Sequence, residues 1–219
     1  MGDLGYDNKI VIENQYFSCV NYYSSLFVHS DIKIEACEHY RKMSFRNRCV
    51  VAGSNGLINL SVPLENGRDQ KGMIKEIRID NWDKWQRQHW HTIFSCYGNS
   101  PFFEFYGDEV EKLFLKKFDY LFDLNMEMLN WLTKTIKLPG QISLTDTFCK
   151  SYPSEVDDAR NRWLPKNFQQ EKNPIRYTQV FEEKIKFQPN LSILDLLFCE
   201  GPQTAFILKQ HFDQTKHPI

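Results

Sequence analysis

Residues 31–36, Asp-Ile-Lys-Ile-Glu-Ala, alternate polar and apolar positions, and Lys9–Glu13 reads as a second short strand upstream of them. Between the two, residues 22–28 read as a helix. The order strand, helix, strand predicts a right-handed parallel crossover, and in open sheets of that kind ligands collect beyond the carboxyl ends of the strands. Those ends deliver residues 13–16 and 35–48. Next, residues 49–52 and 57–64 flank Gly53-Ser54-Asn55-Gly56, and Asn-Gly supplies the positive φ angles of a tight hairpin. Residues 65–72 form a polar, glycine-bounded loop, and 73–79 read as a further strand, so the sheet is expected to be mixed.

From there the period lengthens to that of helices. Trp82, Trp85, His89, Ile93 and Tyr97 recur on one stripe that closes at Gly98, and Ser100-Pro101 opens a short helix through Phe105. Residues 108–137 read as two helices, with Asn125 interrupting an apolar stripe; a buried amide there either braces a neighbouring loop or lines a site. Residues 141–144 add a strand. Residues 149–173 turn polar and proline-punctuated, a surface loop or lid in which Arg160 is a second source of cations. Strand character returns at 175–181, residues 190–200 form a helix, and Gly201-Pro202 separates it from the last one. The expected fold is α/β: one domain over residues 1–219, with an N-terminal βαβ unit, a mixed sheet and a helical C-terminal half.

The candidate chemistry lies in residues 40–48, Tyr-Arg-Lys-Met-Ser-Phe-Arg-Asn-Arg, a cationic run containing no acid. An extended backbone would turn Lys42, Ser44, Arg46 and Arg48 to one side and Met43, Phe45 and Cys49 to the other. Two readings fit that row: a ledge for phosphate or carboxylate, to which Tyr40 and Asn47 add polar contacts, or a solvated edge strand. Glu35 and Glu38 precede it, and Glu35 is a candidate base. His89 is another, although a histidine on an aromatic stripe is commonly a satisfied core residue. Asp195 is the lone acid of an apolar helix and calls for a partner; an arginine of the basic run would supply one.

Composition narrows this picture. A net charge of -1 argues against duplex nucleic acid as the partner, so anion binding must be local. Six cysteines are scattered without metal-site spacing, which gives no metal site and points to reduced thiols. Charge interrupts every apolar stretch, so no membrane span is expected and the default location is cytoplasmic. With no phosphate loop and no dinucleotide fingerprint, no cofactor is expected.

Residues 35–48, "EACEHYRKMSFRNR", followed by Asn55-Gly56 and "LSVP" at 60–63, resemble the WbqC-like protein family. So do "IRID" before Trp82, "YGNSPFFEFY" at 97–106, and the blocks from Tyr177 to Pro202, which include Gln179. The chain departs from longer members in a shorter segment over 148–175, and Tyr16-Phe17-Ser18-Cys19 replaces their proline-containing sequence. Members occur in bacterial O-antigen and surface-polysaccharide clusters. The resemblance implies a transferase moving an aminoacyl or other acyl group onto a sugar, or a non-catalytic ligand-binding protein of the same pathway. Either would take a small anionic ligand such as a nucleotide-sugar or an aminoacyl donor. On that reading Glu35 and His89 are the catalytic candidates. Tyr40, Lys42, Arg46, Asn47, Arg48 and Arg160 are the anion-binding ones, with Glu38, Asn125, Gln179 and Asp195 in support.

Overall fold

The computed structural model describes residues 8–67, 70–82 and 84–216. In chain order the elements are β1 (Lys9–Glu13), α1 (Val20–Leu26), β2 (Asp31–Glu35), β3 (Arg48–Gly53), β4 (Gly56–Ser61), α2 (Trp85–Tyr97), α3 (Phe103–Leu115) and α4 (Leu121–Thr135). They continue with β5 (Gln141–Leu144), β6 (Val156–Asp158), α5 (Glu182–Ile185), α6 (Ile193–Glu200) and α7 (Thr204–Lys216). The fold is α/β with the βαβ unit at its start. Parallel and antiparallel pairing are divided between two sheets rather than combined in one: four parallel strands in the order β5-β2-β1-β6, and a separate β3-β4 hairpin.

The central strand β1 buries Ile10, Val11 and Ile12, as a parallel strand covered on both faces must. The crossover helix α1 is buried nearly all round and packs against α6 and α7, so burial rather than propensity holds so short a helix. In register, Glu13 pairs with Glu35 across β1 and β2. The chain steps from β1 to β2 to β5 on one side and then returns to place β6 on the other. The switch point therefore falls between β1 and β6, where a crevice is expected outside the carboxyl ends.

Several expected strands take other forms. Residues 42–48 do not extend: Met43 sits at φ 56°, and the Ser44 hydroxyl donates to the Arg41 carbonyl and accepts from Arg46 N, opening a 3-10 turn over Phe45–Asn47. Residues 73–79 make only isolated bridges around a 3-10 turn at Ile74–Glu76, because their buried isoleucines face α4 instead of a partner strand. Over 175–181, Ile175, Tyr177 and Gln179 are buried with a period of two, yet side chains take the ladder's place: Thr178 N donates to Glu200 and Gln179 bonds the backbone of Gln188. The presumed lid at 149–173 contains β6 and buries Ala159, Trp163 and Phe168. Trp82, expected on the core stripe of α2, precedes that helix and is exposed. Residues 68 and 69 of the expected polar loop and the extreme N-terminus lie outside the described residues.

Candidate active site

Three acids end up buried at the carboxyl edge of the sheet: Glu13 and Glu35 as the last residues of β1 and β2, and Glu38 three residues further on. Buried carboxylates require partners, and each acid has them. Arg46, wholly buried, grips Glu38 with both ends of its fork, Nε to Oε1 at 2.7 Å and Nη2 to Oε2 at 2.5 Å. Its Nη1 donates to Asn161 Oδ1 at 3.1 Å and lies 3.9 Å from Glu13 Oε1. Burial alone would lower the Arg46 pKa, but the Glu13 and Glu38 charges outweigh it and hold the guanidinium charged. Burial pushes the Glu38 carboxyl above its usual range even with Arg46 pulling it down. Glu13 also accepts from Gln15 Nε2 at 2.7 Å and from the Asn161 amide at 2.8 Å.

The second arginine comes two residues after β6. Arg160 donates to Glu35 at 3.1 Å and to both oxygens of Asp158 at 2.8 and 2.7 Å, and its guanidinium carbon lies 5.2 and 4.9 Å from the ring centroids of Phe148 and Tyr152. Cys37 N at 2.9 Å and Thr145 Oγ1 at 2.7 Å occupy the other Glu35 oxygen, so its lone pairs bind the wall rather than face the cavity. Above these pairs opens a cleft of ≈ 530 Å³ lined by Glu38, His39, Arg41, Lys150, Asp158 and Arg160, with Phe148 on its rim. That size is typical of a small-molecule site. Left-handed backbone at Phe17, Met43 and Asn161 clusters in the loops at this edge, where strained residues mark sites under constraint.

His39 was not singled out from the sequence. Its Nδ1 stands 2.9 Å from the Lys71 carbonyl. A carbonyl only accepts, so Nδ1 carries a proton, and in the neutral ring the lone pair is on Nε2. Tyr40 N to Gly72 O and Ile74 N to Glu38 O, each 2.9 Å, pin the backbone on either side. The one signal for it was its position, between Glu38 and Tyr40 just past a parallel strand.

The other expected site residues lie elsewhere. Lys42 is exposed and does not line the cleft, because Met43 turns the chain before the expected row can form. Asn47 accepts from Tyr40 Oη at 3.2 Å and donates to Val62 O at 2.9 Å, so both tie the basic segment to the hairpin, and Arg48 starts β3. Asn125 donates to the Arg46 carbonyl at 2.7 Å, holding the turn from beneath. His89 is buried among Tyr16, Trp85 and Phe114, with Nδ1 2.8 Å from Tyr16 Oη, and burial lowers its pKa to about 4. Asp195 takes no arginine of the basic run. It accepts from Tyr97 and Tyr177, both at 2.7 Å, while burial raises its pKa to about 6; Gln179 adds a further hydrogen bond. Among the described residues there is no cluster of metal-ligating side chains and no helix long and apolar enough to cross a membrane.

No solved structure matches the chain. An uncharacterised protein of Mycobacterium tuberculosis (strain ATCC 25618 / H37Rv), Rv1507c, is 24% identical over 226 residues, covering 89% of this chain and 91% of that protein. The model of the WbqC-like protein family matches residues 14–161, more than half of the 219 residues. That span holds every cleft-lining residue named above, and the chain belongs to the WbqC-like protein family.

Proposed function

We propose that the protein is a transferase that takes a small anionic ligand, such as a nucleotide-sugar or an aminoacyl donor, into the cleft and passes the acyl group of an aminoacyl donor to a sugar of a bacterial surface polysaccharide. The observation that carries this reading is the cleft itself: an open cavity at the carboxyl edge of a parallel sheet, lined from the chain beyond β2, β5 and β6, with Arg41 and Lys150 on its rim and Arg160 held rigid in its wall. Arg46 is closed off by Glu38 and Asn161, so the anion falls to the rim cations. His39 replaces Glu35 and His89 as the base. Its Nε2 takes the proton of the acceptor amine or hydroxyl as the new acyl bond forms, and the donor's leaving group departs with its electron pair.

Binding tests the first half. Calorimetry with UDP-N-acetylglucosamine, inorganic pyrophosphate and a non-hydrolysable glycyl adenylate should find a ligand whose affinity drops about 10-fold or more for Arg41→Ala/Lys150→Ala. The melting temperature should not change. Unaltered affinity in that variant would refute the site. A non-catalytic binding protein is the second reading, favoured by the arginine partners of Glu35 and Glu38. His39→Asn separates the two: both predict retained binding, and only the transferase predicts lost turnover.

A further inference from the structure

On the far side of α2 and α3 the molecule exposes apolar surface that its own fold does not use. Trp82 is 97% exposed, Leu115 74%, Phe105 73% and Phe94 55%. Trp82 and Leu115 rim a second cavity, ≈ 590 Å³, floored by Trp90 and Phe114. Contiguous exposed apolar surface of this kind marks an interaction site. It spans both helices, which is wider than a small ligand needs.

The charges on this face are segregated by helix. On α2 and its approach, Lys84, Arg87, His91 and Phe94 follow one exposed stripe; on α3, Glu104, Asp108, the half-buried Glu111 and Leu115 follow another, with Lys117 just past the helix on the cavity's edge. One bond is internal, Arg87 Nε to His91 Nε2 at 3.1 Å, but the helix dipoles favour neither set. Lys84 and Arg87 lie at the N-terminal end of α2, where the dipole opposes cations and no first-turn acid relieves them, and Glu111 lies near the C-terminal end of α3, where it opposes anions. By contrast, neighbouring Glu109 and Lys116 bond Trp131 and Glu127 within the chain.

We propose that this face is the two-fold interface of a homodimer, its occupant a second copy of the chain. The helices are antiparallel, and the cavity's lining shows Lys84 and Arg87 level with Glu111 and Leu115. A two-fold axis along the helix direction keeps each level and exchanges the helices. It sets Lys84 and Arg87 against Asp108 and Glu111 of the second copy, Trp82 against Leu115 and Phe94 against Phe105, every pairing made twice. A polyanionic partner, lipid or nucleic acid, would select a cationic excess, whereas the acids of α3 balance this face.

Sedimentation equilibrium of the full chain tests it. The expected result is a dimer that Arg87→Glu and Glu111→Arg each weaken about 10-fold or more. The double variant should restore it to within about 3-fold of wild type, because swapped charges pair again. Phe105→Glu should give monomers with an unchanged circular dichroism spectrum. A wild-type monomer at about 100 μM, where a micromolar dimer is saturated, would overturn the proposal. A dimer indifferent to all three single changes, or a double variant no tighter than the singles, would overturn it too. So would monomers that co-sediment with phosphatidylglycerol vesicles through Trp82, which assigns the face to a lipid surface.

Discussion

Replacing Arg46 by methionine removes the guanidinium while keeping most of the apolar stem. Glu38 then loses both charge-assisted hydrogen bonds, at 2.7 and 2.5 Å, and Glu13 loses the cation 3.9 Å away. Removing one partner of a buried pair costs about 3–5 kcal/mol, because the other charge stays buried without compensation. For a chain of this size each kcal/mol moves the melting temperature by roughly 2–4 °C, so a drop of about 6–20 °C is expected at pH 7. The deficit has a pH signature. Burial already holds the Glu38 pKa above its usual range, and loss of Arg46 raises it further. An acid whose folded pKa is raised takes up its proton more readily in the native state, so its contribution to stability falls as pH rises through that window. The variant therefore recovers as pH falls towards the ordinary glutamate range, and its gap to wild type closes. Urea unfolding followed by circular dichroism from pH 8 to pH 5 reads both effects. Glu38→Gln on the Arg46→Met background should cost less than the sum of the single changes. A loss below about 1 kcal/mol, or a gap that does not move with pH, would refute the assignment of Arg46 as a buried structural cation.

Two buried groups outside the cleft should tilt stability in opposite directions. His89, lowered to about 4, favours the neutral ring; its contribution is complete above about 6.5 and lost as pH falls from there to 4, a slope that His89→Phe should abolish in urea titrations. The same variant leaves the Tyr16 hydroxyl unpartnered, at a cost of about 1–3 kcal/mol. Asp195, raised to about 6, favours the protonated acid, so its contribution is complete below 3.8 and lost as pH rises to 6; Asp195→Asn should make wild-type stability less sensitive to alkalisation over that window.

The parts of the fold legible in the sequence are those where local pattern and tertiary environment agree. Asp31–Glu35 alternates because β2 has a covered face, Gly56 at φ 129° closes the hairpin, and α2 ends at Gly98 as its stripe predicts. The basic run shows the opposite. Its alternation was compatible with a strand, but one hydroxyl, that of Ser44, competes for the backbone, and Met43 takes a left-handed conformation that no periodicity announces. β6 was illegible for another reason: three residues, two of them acids, carry no alternating pattern, and only pairing with the completed β1 defines the strand. The Asp195 partners failed on chemistry. Two tyrosine hydroxyls separated by 80 positions satisfy it without any charge, and a rule that matches acids to bases cannot find them.

The same distinction bears on which residues carry function. The conspicuous cation of the sequence, Arg46, is fixed on Glu38, and Arg160 is fixed on Glu35 and Asp158. Together they neutralise acids that the sheet buries at its own edge, so Glu38, Asp158 and Arg160 enter the cleft wall already paired. Binding and proton transfer on the proposed reading then fall to groups with unoccupied donors or lone pairs: Arg41, Lys150 and His39 Nε2, all in loops at the carboxyl ends of strands. Rigid elements supply position and loops supply contact, and the three loop residues are individually unremarkable in sequence. Their meaning comes from the meeting of the loops after β2 and β5 with the end of β6 at one edge of the sheet, a juxtaposition that exists only once the chain has folded.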